Sequence, residues 1–359
     1  MNSPVNTNLG LANNGPHMET PRRILYGVQA TGQGHISRAR AMADALAAYK
    51  LDITWLFSGR PRDRLFDMSP FGDFEHRRGL TFVTKGGQLR IGKTVLHNNV
   101  FTFINDVRTL NLDEYDLIVT DYEPVVAWAA RLRGREVIGI GHQYAFGANT
   151  PVAGDNWLQR TVMQHFAPVH RPVGLHWAAF NNHTLPPILD LPTLTSETSG
   201  DHVLVYLPFE NQDTVTHWLQ QFKAVRFKQY SPDIDDSVVG NVTRQKANIA
   251  GFKRDLANSR GVICNSGFEL ISECLHWQKP VLCKPLDRQM EQQSNAAALS
   301  QLSYATVMHS LDNNVAGDWL TQPPRAPQVR FSDVAAELAG WLAGGAHQGV
   351  DILSAQLWS

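Results

Sequence analysis

The clearest structural signal in the chain is the segment CNSGFELISECL at residues 264–275, which follows the apolar residues 261–263 and precedes KPVL at 279–282. This pattern predicts a strand, an Asn-Ser-Gly turn, a helix and a second strand. Such a turn leaves the N–H groups of the helix start free, and the helix macrodipole favours negative charge there. The segment therefore predicts an α/β sheet whose turn accepts an anion such as a nucleotide diphosphate.

The same alternation of strand and helix extends through the C-terminal half of the chain. Strands are predicted at 202–207, 224–230, 248–249 with its neighbours, 261–264 and 281–284, and helices at 212–222, 252–259, 268–277 and 289–302. Elements that alternate at this spacing favour parallel strands joined by right-handed crossovers. The C-terminal half is therefore predicted to be Rossmann-like.

The N-terminal half follows the same pattern. Strands are predicted at 24–28, 53–57, 115–120 and 136–140, and helices at 36–49 and 125–132. Residues 70–108 lack this order and are predicted to be an insertion. Two open α/β sheets that face each other create a ligand cleft, because such sheets bind ligands at the carboxyl ends of their strands.

The 359 residues suit two domains of about 150–180 residues each. Prolines at 186, 187 and 192 disfavour a helix or a central strand, so the interdomain linker is predicted there. The predicted division is a disordered tail at 1–21, an N-terminal acceptor-binding domain at 22–185, a linker at 186–200 and a C-terminal nucleotide-sugar domain at 201–330. The final segment, 331–359, is predicted to pack back across both domains.

The charge and hydropathy of the chain argue against a nucleic-acid-binding, secreted or membrane-spanning protein. The formal net charge is −1, which gives no overall electrostatic footprint for nucleic acid or an anionic membrane, although local peripheral membrane contact stays open. The first twenty residues lack the charged and apolar order of a secretory signal, and no apolar run approaches the ~18 residues of a membrane span. A cytoplasmic protein is predicted. Cys264, Cys274 and Cys283 are expected to be reduced core thiols.

The loop Thr31-Gly32-Gln33-Gly34-His35 joins the first predicted strand to the first helix. Its glycines allow a tight turn and a close ligand approach, so Thr31, Gly32 and Gly34 are predicted to line an acceptor or phosphate loop. The loop lacks the third glycine of a dinucleotide fingerprint, which argues against NAD or FAD. His35 could accept a proton from an acceptor hydroxyl, or it could simply cap backbone groups at the helix start.

Two carboxylates follow the third predicted strand of the N-terminal half, at Asp121 and Glu123. Either could orient the His35 imidazole or act as the base itself. The alternative is that Asp121 caps the helix entered at Pro124. His142, after the next strand, is a weaker candidate for lining the acceptor site.

Three spaced motifs carry a resemblance to known enzymes. They are Gly267-x5-Glu273-x6-Pro280, Pro285-x5-Glu291-Gln292-x2-Asn295-Ala296 and Gly32-x-Gly34-His35. With them the chain resembles the GT-B glycosyltransferases of family 1 and of family 28, which includes the transferase that adds N-acetylglucosamine in peptidoglycan synthesis. It is also similar, over residues 22 to about 310, to little-characterised bacterial and archaeal glycosyltransferase-like proteins.

The resemblance implies a role for each matching position. Glu273 matches the glutamate that binds the ribose hydroxyls, and Glu291 and Gln292 match the pair that binds the donor sugar. The turn Asn265, Ser266 and Gly267 faces the diphosphate, Phe252 lies where relatives pack the nucleobase, and His35 matches the base. Leu270 departs from family 1, which has a hydroxyl residue for the phosphate there, so Ser266, Thr31 or the backbone must serve.

Together with this resemblance, these features predict an α/β, GT-B protein that is a metal-independent hexosyltransferase, and the resemblance implies that it inverts the anomeric configuration. It needs no cofactor and moves a hexose from a UDP-sugar to a hydroxyl of a glycan, a lipid-linked molecule or a small molecule. No nucleic acid partner is expected. The alternatives are a nucleotide-sugar 2-epimerase of the same fold and a non-catalytic nucleotide-sugar-binding protein.

Overall fold

Two largely parallel β-sheets form the framework of the protein. The structure is a computed structural model that describes residues 21–65, 67–80, 84–85, 88–89, 99–147, 149–154, 157–191 and 200–359. Residues 1–20 of the predicted tail and residues 192–199 of the predicted linker lie outside this range. Within it, no helix is long and apolar enough to cross a membrane.

The first sheet uses the N-terminal half of the chain. Its strands are β1 (Arg22–Gln29), β2 (Leu51–Ser58), β3 (Glu75–His76), β6 (Leu117–Asp121), β7 (Ile138–Gly141), β8 (Arg171–Leu175) and β9 (Thr184–Leu185), while β4 (Thr84–Lys85) and β5 (Gln88–Leu89) form a separate hairpin. The order across the described sheet is β3-β2-β1-β6-β7-β8-β9, and every pair is parallel.

The second sheet uses the C-terminal half. Its strands are β10 (His202–Tyr206), β11 (Arg226–Ser231), β12 (Ser237–Val239), β13 (Val242–Lys246), β14 (Gly261–Asn265), β15 (Val281–Lys284) and β16 (Thr306–Val307). The order across the described sheet is β12-β13-β11-β10-β14-β15-β16, and only the β12–β13 pair there is antiparallel.

Helices follow the strands as crossover connections. In chain order the helices within the described residues are α1 (Gln33–Leu46), α2 (Val100–Thr109), α3 (Pro124–Leu132), α4 (Trp157–Phe166), α5 (Gln212–Leu219), α6 (Ile249–Ala257), α7 (Phe268–His276), α8 (Met290–Gln301), α9 (Asn313–Thr321), α10 (Val334–Ala343) and α11 (Val350–Leu357). The predicted strand at 248–249 is wrong. Asn248 instead accepts a hydrogen bond from the backbone N–H of Gly251 at 2.7 Å and caps α6.

The last two helices lie against the first sheet's half of the molecule. Arg22 donates to the carbonyl of Ala343 at the end of α10. Beyond α10, Ser354 and Trp358 both donate to the carbonyl of Thr184, at 2.8 and 2.7 Å. The chain thus returns from the second sheet to the edge strand β9 of the first.

The three cysteines are free and buried, which confirms the prediction of core thiols. Cys264 on β14 and Cys283 on β15 lie opposite each other in the pairing of these strands, and Cys274 lies on α7.

Candidate functional site

The carboxyl ends of two neighbouring strands bring His35 and Asp121 together. Strand β1 pairs with β6, with Val28 opposite Asp121, and the glycine loop, residues 31–35, leads from β1 into α1. The His35 Nδ1 atom lies 2.8 Å from Asp121 Oδ1. The predicted contact between the histidine and a carboxylate therefore involves Asp121.

Arg38 completes this arrangement one helical turn after His35. Its side chain is only 1% exposed, and its Nε and Nη2 atoms donate to the two Asp121 oxygens at 2.9 and 2.6 Å. Burial opposes ionisation of Asp121, but the charge of Arg38 and the hydrogen bonds from His35 and Arg38 prevail and hold the pKa of that carboxyl below its usual value. Asp121 is therefore an ionised hydrogen-bond acceptor.

The contacts also select the tautomer of His35. Arg38 Nη2 lies 3.0 Å from His35 Nδ1, but an arginine can only donate and an ionised carboxylate can only accept. Arg38 Nη2 already donates to Asp121 at 2.6 Å, and the shorter of the two Nδ1 contacts, at 2.8 Å, is the one to the carboxylate, so the proton is assigned to Nδ1, which donates to Asp121. The Nε2 atom is left with a lone pair that can accept a proton.

Glu123 caps a helix and is not the carboxylate that is bonded to His35. Its carboxylate caps α3 by accepting from the N–H groups of Val125 and Val126 at 2.8 and 2.6 Å, and it also accepts from Ser58. Burial raises the pKa of Glu123 to about 7, against the effect of these donors. The helix-cap alternative raised for Asp121 therefore belongs to Glu123, and contact with His35 belongs to Asp121.

Two helix starts near this pair are open. Gly32 and Gly267 are the N-caps of α1 and α7, and neither helix has a side-chain cap. A Cβ added at either glycine would meet no atom within 4 Å. The free N–H groups of both helix starts therefore border unoccupied space at which an anion could be bound.

Glu269, in the first turn of α7, joins the two halves at this point. Arg38 donates from Nη1 to its carboxylate, and a Cβ added to Gly34 would lie only 2.5 Å from Glu269 Oε2. A side chain at position 34 would therefore displace the Glu269 carboxylate from Arg38. The carboxyl edges of the two sheets face each other here, and we call the space between them the cleft.

Glu273, predicted to bind ribose, lies on α7 with its side chain 6% exposed. Lys253 on α6 donates to it and also donates to the carbonyl of Asp190 at 2.7 Å. Burial raises the pKa of Glu273 to about 7 despite the neighbouring ammonium. A ligand hydroxyl at this position would therefore compete with Lys253 for the carboxylate.

The side chains of the turn residues Asn265 and Ser266 bond to neighbouring elements of the second half. Ser266 is fully buried and donates to the Gln292 carbonyl at 2.8 Å, and the Gln292 side-chain oxygen accepts from the backbone N–H of Leu286 at 3.1 Å. The Asn265 amide donates to the Lys284 carbonyl at 3.0 Å. These side chains therefore shape the turn, and its backbone, with Gly267, borders the cleft.

Of the other predicted site residues, Glu291 and His142 make contacts between the two halves, and Phe252 and Thr31 make contacts within one half. Gln143 donates to Glu291 at 3.3 Å. The buried His142 lies with Nε2 2.7 Å from the Asn295 Oδ1 atom and stacks on Phe268 at 4.0 Å between ring centroids. Phe252 packs against Tyr206 at 5.2 Å, and the Thr31 hydroxyl accepts from Gln29 at 2.7 Å.

Arg38 and Glu269 were not identified from the sequence, although each carries a recognisable signal. Arg38 follows His35 at the i+3 position and so shares its helix face. Glu269 is a carboxylate in the first turn of a helix whose turn was predicted to bind an anion. Among the residues that the structure describes, no group of three or more His, Cys, Asp or Glu side chains is arranged to hold a metal.

Comparison with known proteins identifies the family. A family model described as "Glycosyl transferase family 1" matches residues 22–324. No curated protein sequence matches the chain significantly.

Solved structures resemble the chain along nearly its whole length. The glycotransferase of kitacinnamycin has a TM-score of 0.57 at 14% identity, with 94% of this chain and 99% of that chain covered. Arabidopsis thaliana UGT89C1 complexed with UDP has 0.57 at 12%, with 94% and 100% covered. The Streptomyces sp. SF2575 glycosyltransferase SsfS6, complexed with thymidine diphosphate, has 0.54 at 13%, also with 94% and 100% covered. At these identities the likeness concerns the fold, and it confirms the predicted GT-B architecture.

The family model spans most of the chain, from the first strand of the first sheet to beyond the last strand of the second. The protein therefore belongs to glycosyl transferase family 1 and is a glycosyltransferase.

Proposed function

We propose that the enzyme transfers a hexose from a UDP-sugar to an acceptor hydroxyl, with inversion and without a metal. The observation that carries this proposal is the His35–Asp121 pair, which stands at the carboxyl edge of the first sheet opposite the uncapped start of α7. His35 takes the proton of the acceptor hydroxyl at Nε2, while Asp121 fixes the ring and stabilises the imidazolium that forms.

The reaction is a single displacement. The acceptor oxygen forms a bond to the anomeric carbon as the bond between that carbon and the diphosphate oxygen breaks, and the electron pair leaves with the diphosphate. A base on one half and a leaving group on the other place the two oxygens on opposite faces of the carbon, which inverts its configuration. The open N–H groups at α7 stabilise the departing charge.

The resemblance to GT-B enzymes supports a nucleoside diphosphate donor, and UDP is the first choice. Two structures that resemble this chain are complexes with UDP and with thymidine diphosphate. In the proposed donor site Glu273 binds the ribose, Phe252 packs near the base and Glu291 contacts the hexose, while the buried Gln292 holds the turn in place. Of these, Glu291 is partly exposed and bonded across the cleft, which suits a sugar contact.

Ligand-induced stabilisation tests the donor. Unfolding of the wild type is measured against increasing UDP, TDP and GDP, since a ligand at a hundred times its Kd stabilises the native state by about 2.7 kcal/mol. The largest effect is expected with UDP. No stabilisation by any of the three would contradict the proposed donor class.

Product analysis tests the reaction. The enzyme is incubated with a UDP-hexose and with glycan, lipid-linked or small-molecule acceptors, and the anomeric configuration of the product is determined by NMR. Retention would contradict inversion. A sugar isomer formed without an acceptor would favour an epimerase, and tight UDP binding without turnover would favour a binding protein.

A further inference from the structure

Arg60 lies at the mouth of the cleft, in the turn that follows β2. Gly59, just before it, has φ +90°, a backbone conformation that favours glycine. A Cβ at position 59 would also lie 2.8 Å from the Gln29 and Thr31 side chains. Glycine at this position therefore lets the turn close over the glycine loop and carries Arg60 to it.

The Arg60 side chain is held in place by the loop that bears the candidate base. Its Nη2 atom donates to the Thr31 carbonyl at 2.8 Å, and the residue is half-buried. This bond uses one of the five N–H donors of a guanidinium. The group is thus oriented in advance, with most of its donors available to a ligand.

Arg60 has no carboxylate partner among the residues that the structure describes, since no Asp or Glu oxygen there lies within ion-pair distance of it. Burial and the like charge of Arg64 lower the pKa of Arg60, and Tyr206 opposes them in part. A desolvated cation without a partner costs free energy that a bound anion would recover.

The loop that holds Arg60 lies against the second half, because a Cβ added to Gly34 would lie 2.5 Å from Glu269 Oε2 in the first turn of α7. The charge of Arg60 also partly offsets the rise in the pKa of Tyr206 that burial causes, and Tyr206 is the last residue of β10. Tyr206 in turn packs on Phe252, the residue proposed to lie near the nucleobase. Arg60 belongs to the acceptor half but is held by a loop that lies against the donor half.

We propose that Arg60 binds the diphosphate of the nucleotide-sugar donor across the cleft from α7. This inference rests on the proposed function and adds a donor contact from the acceptor half. A planar guanidinium matches phosphate oxygens with paired hydrogen bonds. As the glycosidic bond breaks, negative charge grows on the leaving diphosphate, so Arg60 stabilises the departing group as well as the bound donor.

Calorimetry with the full chain tests the proposal, using whichever of UDP, TDP and GDP stabilises the wild type most. R60Q is expected to weaken binding of that nucleotide about tenfold or more, the usual loss for a charge-assisted hydrogen bond. R60K keeps the charge but not the planar guanidinium, so its nucleotide affinity should lie between those of the wild type and R60Q. The matched control is R62Q, because exposed Arg62 lies in the same turn but packs over the Phe74 ring at 4.6 Å.

The outcomes separate this inference from the proposed function. A tenfold loss in R60Q with little change in R62Q supports it, and R60K serves the same comparison if R60Q does not fold. Equal losses in R60Q and R62Q, or no loss in R60Q, overturn it while nucleotide binding by the wild type leaves the proposed donor standing. If Arg60 bound an anionic group of the acceptor instead, R60Q would bind the nucleotide as well as the wild type does. Failure of the wild type to bind any of the three nucleotides overturns both.

Discussion

Arg38 and Glu269 form an ion pair between the two halves of the enzyme, and the arginine is almost completely buried. The same guanidinium holds Asp121, which holds His35. The orientation of the proposed base is thus linked directly to the first turn of the helix proposed to bind the leaving diphosphate. This chain of contacts predicts that changes at Glu269 alter both stability and donor affinity.

Replacing Glu269 with Gln should lower the stability and tighten nucleotide binding. Arg38 keeps Asp121 as a partner, so the loss in unfolding free energy should be about 1 kcal/mol. Removing a negative charge near the diphosphate should strengthen binding by roughly 1 kcal/mol, or about fivefold. Urea denaturation and calorimetry with UDP measure the two effects. E337Q, in the exposed first turn of α10, is the control and should change neither. Unchanged UDP affinity in E269Q would place the diphosphate elsewhere.

His35→Ala should abolish transfer while donor binding survives, because the base and the donor site belong to different halves. A positioned general base contributes typically 10²- to 10⁴-fold, and the rate should fall by about that factor. Since His35 is partly exposed and Asp121 retains Arg38, stability should change little. The control is H165A, which alters an exposed histidine of α4. Near-wild-type transfer by H35A would remove histidine from the mechanism.

Asp121→Asn should reduce transfer as strongly as H35A but, unlike it, should destabilise the protein. Asparagine no longer selects the Nδ1–H tautomer of His35, and it leaves buried Arg38 with one carboxylate fewer. Losing one partner of a buried ion pair costs about 3 kcal/mol. Transfer assays and urea denaturation of D121N beside H35A test the contrast. Equal stability of the two variants would mean that the Asp121–Arg38 pair contributes little.

Glu291 and Gln292 are adjacent but should behave differently on substitution by alanine. E291A should weaken binding of the UDP-sugar more than that of UDP, because Glu291 is proposed to contact the hexose. Q292A should destabilise the protein by about 1–3 kcal/mol, since it removes the acceptor of the buried Leu286 N–H group. Calorimetry with both ligands and thermal unfolding separate the effects. An equal loss of UDP and UDP-sugar in E291A would move Glu291 out of the sugar site.

Much of the framework could be predicted because apolar strands and amphipathic helices alternate clearly. The strand predicted at 24–28 is β1, and the one predicted at 281–284 matches β15 at both ends. Strand β8 was missed because Pro172 and Gly174 are poor strand residues. Its parallel pairing with β7 and β9 compensates for their low propensity, and this stabilisation is tertiary.

The site could be predicted only where one sheet edge brings its members together. His35 and Asp121 follow strands that were both expected in the first sheet, so their proximity could be inferred from the topology. The contact between Arg38 and Glu269 joins residues 231 positions apart in different sheets. It depends on how the two halves face each other, which no local pattern encodes.

The buried carboxyl of Glu123 predicts a stability that depends on pH. Its pKa is about 7 in the folded protein against an ordinary value of 4.5, so the folded state binds the proton more tightly than the unfolded state. The stabilisation of wild type relative to E123Q is therefore full below pH 4.5 and is lost as the pH rises through 7. The total change is about 3 kcal/mol.

Urea denaturation of wild type and E123Q from pH 5 to pH 9 measures this difference, with the exposed E337Q variant as a control whose offset should stay constant. Wild type should lose stability relative to E123Q across this range, because the glutamine has no proton to release; its single amide oxygen replaces one of the two acceptors at the start of α3, which gives an offset that does not depend on pH. A constant offset for E123Q would show that Glu123 is ionised throughout, with Ser58 and the two backbone N–H groups holding its charge.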